Sequence, residues 1–254
     1  MIAALSHKPY RLNAEGIPTA SKTRIVAALD KAVGTVEKLF KRPFSHDFSV
    51  IVAPNRAEFD RETAKHWSMP PSEPWMVGSG IGDILILLSP DVWNTQATEH
   101  NGSDTTELNE IVAHETTHVY HGQICPKHDF DGMDDVGWFI EGLAVWTSGQ
   151  LASNHRNDAE TAIAEAKIPT HLKDSWTGKY RYGVAGSMVD FLDATWGRRE
   201  LSELMACTSN SQILNRLKLS EPDFLAKWRE WEIHSRTSQQ PTALSKGEPA
   251  TRQP

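Results

Sequence analysis

The sequence contains few cysteines, fewer basic than acidic residues and no long apolar run. Its 254 residues include two cysteines, Cys125 and Cys207. They form no CxxC pair, which argues against dithiol redox chemistry and a thiolate metal site, while one disulfide between them stays open. The formal net charge of −7 argues against nucleic acid or an anionic membrane as the main partner.

The chain also lacks a run of the roughly 18 apolar residues that a membrane-spanning helix needs. The densest run, VGWFIEGLAVW, is interrupted by Glu141, so we expect no transmembrane segment. The first residues, MIAALSHKPYRLNAEG, lack the basic and apolar regions of a signal peptide. The sequence as written fits a cytoplasmic protein, but it does not determine the compartment. An extracytoplasmic location stays open if a leader has been removed, and the oligomeric state is not predicted.

Hydrophobic periodicity predicts an α+β fold in two parts. Residues 1–103 form an N-terminal α/β part with a small mixed sheet. Its expected elements are a helix from Thr19 to about Arg42, a strand over 44–53, the short helix NRAEFDRETAKH and a strand over 83–89. Residues 104–235 form a mainly helical part. Its helices are expected near 105–121, 136–150, 156–166, 179–196, 198–206, 210–218 and 221–234.

Three smaller features complete this outline. The stretch PPSEPWMVGSG, at 70–80, has too many prolines and glycines for regular structure. Its glycines, with Gly82, precede a strand instead of opening a helix, so they are interpreted as a turn and not as a dinucleotide loop. Thr105 or Thr106 is expected to cap the next helix. Residues 236–254 have no large apolar side chain apart from Leu244 and are predicted to be disordered.

The stretch IVAHETTHVYHG, at 111–122, carries two histidines four residues apart. On a helix His114 and His118 share one face at about 6 Å, so both imidazoles can bind a single Zn²⁺. Glu115 is rotated by about 100° from His114, beside the metal, where a base for metal-bound water belongs. The pattern predicts a site for one zinc ion. The alternative is an ordinary helix with two solvated histidines.

A third ligand is expected at Glu141, within WFIEGLAVW. An unpaired carboxylate in so apolar a helix is unfavourable by several kcal/mol, and a divalent cation removes that penalty. The small Gly142 would let this helix approach the histidine helix. The alternative is a glutamate paired with Arg or Lys. His121 is a less favoured ligand, because the metzincin pattern needs a histidine where Ile124 stands.

HETTH, 22 intervening residues and EGLAVW together resemble the gluzincin metallopeptidases. The sequence is most similar to their peptidase-MA-like branch, related to thermolysin and the aminopeptidase N family. The resemblance is loose outside these motifs, and runs from DILILLSPDVW to DFLAKWREW. It implies a zinc cleft between sheet and helices, with ligands at His114, His118 and Glu141, the base at Glu115, and a peptide or protein substrate.

The pattern departs from thermolysin at Val145, where thermolysin has an aspartate that orients a ligand histidine. Weak substitutes for that orienting carboxylate are Asp134, Asp135, Glu110 and Asp190. For the oxyanion donor, KYRYGVAGSMVDFL offers two tyrosines, and we favour Tyr182 over Tyr180, with packing roles for both as the alternative. His171 and Arg181 are less favoured donors.

The sequence leaves alternatives open for the residues that bind substrate and for the reaction. The stretch GIGDILILLS occupies the place of the edge strand that pairs with substrate in gluzincins, but its apolar run fits a central strand equally well. Asp83 or Glu99 could bind an N-terminal amine. Besides a zinc metallopeptidase, the sequence fits a non-catalytic gluzincin-like binding protein, or a zinc hydrolase of a non-peptide amide or ester.

Overall fold

The computed structural model describes residues 8–237. The α+β fold class is confirmed, since a small mixed sheet is combined with mostly helical structure. The predicted disordered tail starts at 236, where the last helix still continues for two residues. Its remainder, 238–254, lies outside the described residues.

The sheet has four strands in the order β1-β2-β4-β3. They are β1 (Tyr10–Asn13), β2 (Phe48–Ala53), β3 (Gly78–Ile81) and β4 (Ile84–Leu88). Strands β1, β2 and β4 are parallel, whereas β3 runs antiparallel to β4 at the edge of the sheet. Consecutive side chains of β4 from Leu85 to Leu88 are all buried, so both faces of this strand are covered.

Most of the described chain outside the sheet is helical. They are α1 (Thr19–Phe40), α2 (Arg56–Trp67), α3 (Trp93–Gln96), α4 (Thr105–Gly122), α5 (Gly137–Ser148), α6 (Gln150–Ser153), α7 (Asp158–Ala164), α8 (Arg181–Leu204), α9 (Asn210–Leu217) and α10 (Glu221–Thr237). Single turns of 3₁₀ helix occur at Pro90–Val92, Asp134–Val136 and Leu172–Asp174. Helix α2 packs against β2 and β4, and α4 packs against β3, β4, α1 and α5.

The break expected after residue 196 is present inside α8. Gly197 has a non-helical backbone with φ of 82°, which divides α8 into two helical segments. A positive φ is readily adopted by glycine because it has no Cβ. The interruption therefore lies within an otherwise continuous helical run.

Several sequence-based details are wrong. Gly78 and Gly80 belong to the edge strand β3, and only Gly82 lies in a turn, with φ of 59°. The sequence left the strand over 84–88 open between an edge and a central position; it is central, and β3 lies at the edge beside it. Helix α4 is capped by Asp104, whose carboxylate accepts from the backbone N–H groups of Thr106 and Glu107, and not by a threonine.

Both cysteines are free and buried, so the disulfide that the sequence left open is absent. Sγ of Cys125 lies 3.7 Å from Sδ of Met133, inside the core. Over residues 8–237, no helix combines the length and the apolar character that a bilayer crossing requires.

Candidate metal centre

Helix α4 places both motif histidines inside the protein. His114 and His118 are 8% and 7% exposed, so they are not the solvated pair of the alternative interpretation. The helix can bury them because Leu108, Ile111 and Val112 anchor the same element in the core. Their ring planes meet edge to face with centroids 4.8 Å apart, and the two rings converge at their tips.

Three donor atoms form a compact triangle at those tips. Nε2 of His114 lies 3.0 Å from Nε2 of His118. Oε2 of Glu141 lies 3.3 Å from the first nitrogen and 3.6 Å from the second. Ligands about 2.1 Å from a tetrahedral metal are separated by about 3.4 Å, so these three atoms can share one ion with little rearrangement. Within the described residues, the charged partners of Glu141 are these histidines and not Arg or Lys.

The charges of the triangle are strongly coupled. Burial acts to lower the pKa of His114, but the hydrogen bond to Glu141 and the charge of Glu115 raise it to about 9. Burial likewise acts to raise the pKa of Glu141, but the two histidines hold it well below its ordinary value. The ionised carboxylate therefore attracts positive charge to this point, which a divalent cation can supply.

Gln150 orients His114 from behind. Its Oε1 lies 2.8 Å from Nδ1 of His114. An amide oxygen only accepts hydrogen bonds, so Nδ1 carries the hydrogen and the lone pair of the neutral ring is at Nε2, facing the triangle. The chain reaches this position through Gly149, whose φ of 92° turns it from α5 into α6.

The carboxylates proposed for this orienting role do not perform it. Asp190 accepts from Nε1 of Trp146 at 3.0 Å, and Glu110 lies 3.4 Å from Nδ2 of Asn154. Asp134 and Asp135 begin the 3₁₀ turn before α5. Nδ1 of His114 is instead paired with Gln150, a residue that the sequence did not point to.

Helix α5 carries Glu141 and is held by a close contact. A Cβ on Gly142 would lie 2.4 Å from the carbonyl oxygen of Ala185, so only glycine allows this approach. The contact is with α8, whereas the sequence had suggested that Gly142 permits approach to the histidine helix. Glu141, one residue earlier, points from α5 to the histidines of α4 and remains 27% exposed.

Glu115 lies against the edge strand. A Cβ on Gly80 would be 2.3 Å from the carbonyl oxygen of Glu115, and one on Gly78 would be 2.7 Å from its Cγ. The Gly80 backbone also hydrogen-bonds to the Glu115 carboxylate. Burial raises the pKa of this carboxyl group, which suits a group that must accept a proton near neutral pH.

The two tyrosines are in different environments. Tyr182 lines the cavity that contains the triangle, and burial, together with Glu141, raises its pKa. Its ring stacks on His155 with centroids 5.2 Å apart and meets Trp176 edge to face at 4.7 Å. Tyr180 is buried, hydrogen-bonds to Glu165 and does not line this cavity.

The other residues suggested for substrate contact, whether as oxyanion donors or as ligands of an N-terminal amine, also differ in whether they line the cavity. Arg181 lines the cavity, with its guanidinium 5.5 Å from the ring centre of Trp176. His171 lies outside the cavity lining, 3.7 Å from Glu221. Glu99 lines the cavity, whereas Asp83 does not.

The cavity itself is an open cleft of about 1180 Å³. One wall is formed by β3 and α4, and the other by α5 and the first turn of α8. The three donor atoms and Glu115 lie along it, so a ligand entering the cleft can reach the triangle. The volume is sufficient for a segment of several residues.

His121 does not belong to the triangle. It is fully buried, and its Nε2 donates to the carbonyl oxygen of Met205 at 3.1 Å. Burial lowers its pKa to about 3, so the ring stays neutral at ordinary pH. Its interpretation as a third ligand is therefore unsupported, and its partner is the backbone near the end of α8.

No protein-family model, curated protein or solved structure matches this chain. The resemblance to gluzincins thus depends on HETTH and EGLAVW alone, and membership of that family stays a prediction.

Proposed function

We propose that the protein is a zinc-dependent metallopeptidase, with His114, His118 and Glu141 as zinc ligands and Glu115 as the general base. The observation that supports this most is the donor triangle beside Glu115 in an open cleft. A structural zinc site usually has four protein ligands, whereas three ligands facing a cleft leave one position for water.

Zinc held at this triangle would act as a Lewis acid and activate water. The chain contributes the proton acceptor, because the raised pKa of Glu115 lets its carboxylate take up a proton and release it to a leaving amine. The hydroxyl group of Tyr182 is the donor we assign to the developing oxyanion of a substrate carbonyl. His114 is kept in the required tautomer by Gln150.

Strand β3 supports a peptide as the substrate. It lies at one edge of the sheet, and Gly78, Ser79, Gly80 and Ile81 all line the cleft. A peptide in extended conformation can pair with such an edge through main-chain hydrogen bonds, which hold it regardless of its sequence. We therefore assign substrate pairing to β3 and not to the neighbouring strand β4, for which the sequence had left this role open.

The direct test compares wild-type protein with Glu115→Gln. Zinc content is measured by elemental analysis, and cleavage is measured on casein and on a mixed peptide library. We expect the same zinc content in both proteins and a loss of kcat/KM of about 10²–10⁴ in the variant. The matched control is Glu230→Gln, an exposed residue of α10 outside the cleft, which should behave as wild type.

The other outcomes separate the alternatives. Equal cleavage by wild type and Glu115→Gln would remove the proposed base and with it this mechanism. Bound zinc without cleavage of any peptide, but with hydrolysis of simple esters or acylamides, would indicate a non-peptide hydrolase. Bound zinc with neither activity would indicate the non-catalytic binding protein.

A further inference from the structure

A second group of metal-type side chains lies outside the cleft. We call His46, Asp83 and His128 the distal cluster. His46 precedes β2, Asp83 lies in the turn between β3 and β4, and His128 follows α4. None of the three lines the cleft. The cluster therefore joins segments from both predicted parts of the chain.

The ligand atoms of the distal cluster converge on one carboxylate. Nε2 of His46 lies 2.7 Å from Oδ1 of Asp83, and Nε2 of His128 lies 2.9 Å from Oδ2. All three donor atoms lie within 4.8 Å of one another. An inserted ion needs separations of about 3.4 Å, which the partly exposed side chains can reach by small rotations.

The orientation of His128 determines what its Nε2 can do. Nδ1 lies 2.9 Å from the carbonyl oxygen of Gly122, which accepts hydrogen bonds and cannot donate them. Nδ1 therefore carries the hydrogen, and in the neutral ring the Nε2 lone pair faces a carboxylate oxygen of Asp83. Two acceptors in contact repel each other, so a cation belongs between them. That cation is either a proton on the ring or a metal ion.

The cluster is also held in place by a neighbouring amide. Gln123 donates from Nε2 to Oδ1 of Asp83 and to the carbonyl oxygen of His46, both at 3.0 Å. Its Oε1 accepts from the backbone N–H of Ser45 at 2.8 Å. One side chain thus fixes both the carboxylate and the loop that carries His46. Such support by outer groups is typical of metal sites.

The turn that carries Asp83 fits closely around His128. Gly82 has φ of 59°, and a Cβ there would lie 3.3 Å from Cδ2 of His128. A side chain at this position would be strained and would press on the imidazole ring.

Burial acts to raise the pKa of Asp83, but hydrogen bonds from both histidines and Gln123 hold it below its ordinary value. The carboxylate is thus ionised and available as a ligand.

We propose that the distal cluster is a second site for a divalent transition metal such as Zn²⁺, separate from the cleft. Two imidazoles and one carboxylate suit zinc and its neighbours, whereas calcium and magnesium prefer oxygen ligands. The side chains are 51%, 36% and 44% exposed, so water completes the coordination. The bound ion ties the β3–β4 turn and the loop before β2 to the end of α4.

The test is titration of the chelator-stripped full chain with ZnCl₂, followed by calorimetry and by competition with a chromogenic chelator. We expect two zinc equivalents for wild type and one for Asp83→Asn, with the distal affinity reduced at least about 10-fold. His46→Gln should give the same loss, and it changes an exposed residue, so it guards against misfolding of the first variant. His171→Gln is the matched control, an exposed histidine near a single carboxylate, and should keep two equivalents.

A variant of the cleft separates this proposal from the proposed function. His118→Ala should remove the cleft equivalent and leave the distal one, so either site can fail without the other. Full retention of zinc stoichiometry and affinity in both Asp83→Asn and His46→Gln would overturn the distal site. A wild-type protein that binds one equivalent, lost in His118→Ala, would also overturn it and would leave a proton as the cation in the cluster.

Discussion

Nδ1 of His114 donates a hydrogen bond to Oε1 of Gln150 at 2.8 Å, and this contact links the histidine helix to the chain just after the Glu141 helix. The same oxygen lies 3.2 Å from the hydroxyl group of Ser148. Because Gln150 follows a glycine turn, its position depends on the end of α5. The orientation of one donor of the triangle is thus set by the helix that supplies another.

Gln150→Leu is expected to weaken zinc binding at the triangle by about 10–100-fold, as removal of an outer hydrogen-bond partner usually does. Leucine keeps most of the volume but cannot accept from Nδ1. Competition with a zinc chelator measures the change. Gln212→Leu makes the same change at an exposed residue of α9 outside the cleft; it is the control and should bind as wild type. Equal zinc affinity in Gln150→Leu would mean that His114 is oriented by packing alone.

Tyr182→Phe is expected to lower kcat by about 10²–10³ with little change in KM and with zinc retained, because one oxyanion donor is lost. Tyr180→Phe is the matched control, since Tyr180 lies outside the cleft. Steady-state cleavage of a fluorogenic peptide measures both variants. A large loss in Tyr180→Phe with none in Tyr182→Phe would reverse the assignment.

Gly80→Ala is expected to destabilise the protein by about 1–3 kcal/mol, since the new Cβ would meet a backbone oxygen that cannot move away alone. Gly34→Ala makes the same chemical change on an exposed position of α1 where nothing lies within 4 Å. It should stabilise by about 0.5–1 kcal/mol through helix propensity. Urea unfolding compares the two. Equal changes in unfolding free energy in the two variants would show that β3 can move away from α4 to accommodate the new Cβ.

Stability should fall in mild acid because of His121. Its pKa is lowered to about 3 in the folded protein, against 6.5 ordinarily, so only the unfolded chain takes up this proton as the pH falls below 6.5. The stability from this group is fully present above pH 6.5 and is lost as the pH falls towards 3. Between pH 7.5 and 5.5 the loss is about 1.4 kcal/mol.

The measurement for His121 is urea unfolding of wild type and His121→Gln at both pH values. Glutamine can still donate to the carbonyl oxygen of Met205 but does not titrate. The pH-dependent difference in unfolding free energy should therefore be smaller in the variant by about 1.4 kcal/mol. An identical pH dependence in the two proteins would contradict a neutral, buried imidazole.

The donor triangle was accessible from the sequence because each of its parts has a local signature. Helical spacing places His114 and His118 on one face, and a carboxylate within an apolar run marks Glu141 as unusual. The placement of these three residues in one group follows the expectation. The long helices and the strands β2 and β4 were likewise predictable from periodicity, whereas the short edge strands β1 and β3 were not expected.

The missed features depend on contacts between distant segments. Gly78 and Gly80 look like turn residues in the sequence. The reason for glycine becomes visible only in three dimensions, since the Glu115 side chain lies against Gly78 and the Glu115 backbone lies against Gly80. Gln150 carries no local mark of its partner, because the bend at Gly149 decides where its amide points. Sequence alone thus indicated the metal-type residues better than the groups that support them.

The glycine contacts divide the walls of the cleft into two tightly joined pairs. Gly80 allows close contact between β3 and α4, and Gly142 allows close contact between α5 and α8. An ion shared by His114, His118 and Glu141 would link the two pairs, because it would join α4 to α5. Removal of the ion by a chelator should therefore increase amide hydrogen exchange first where α4 contacts α5. The β3–α4 and α5–α8 contacts should keep their protection from exchange.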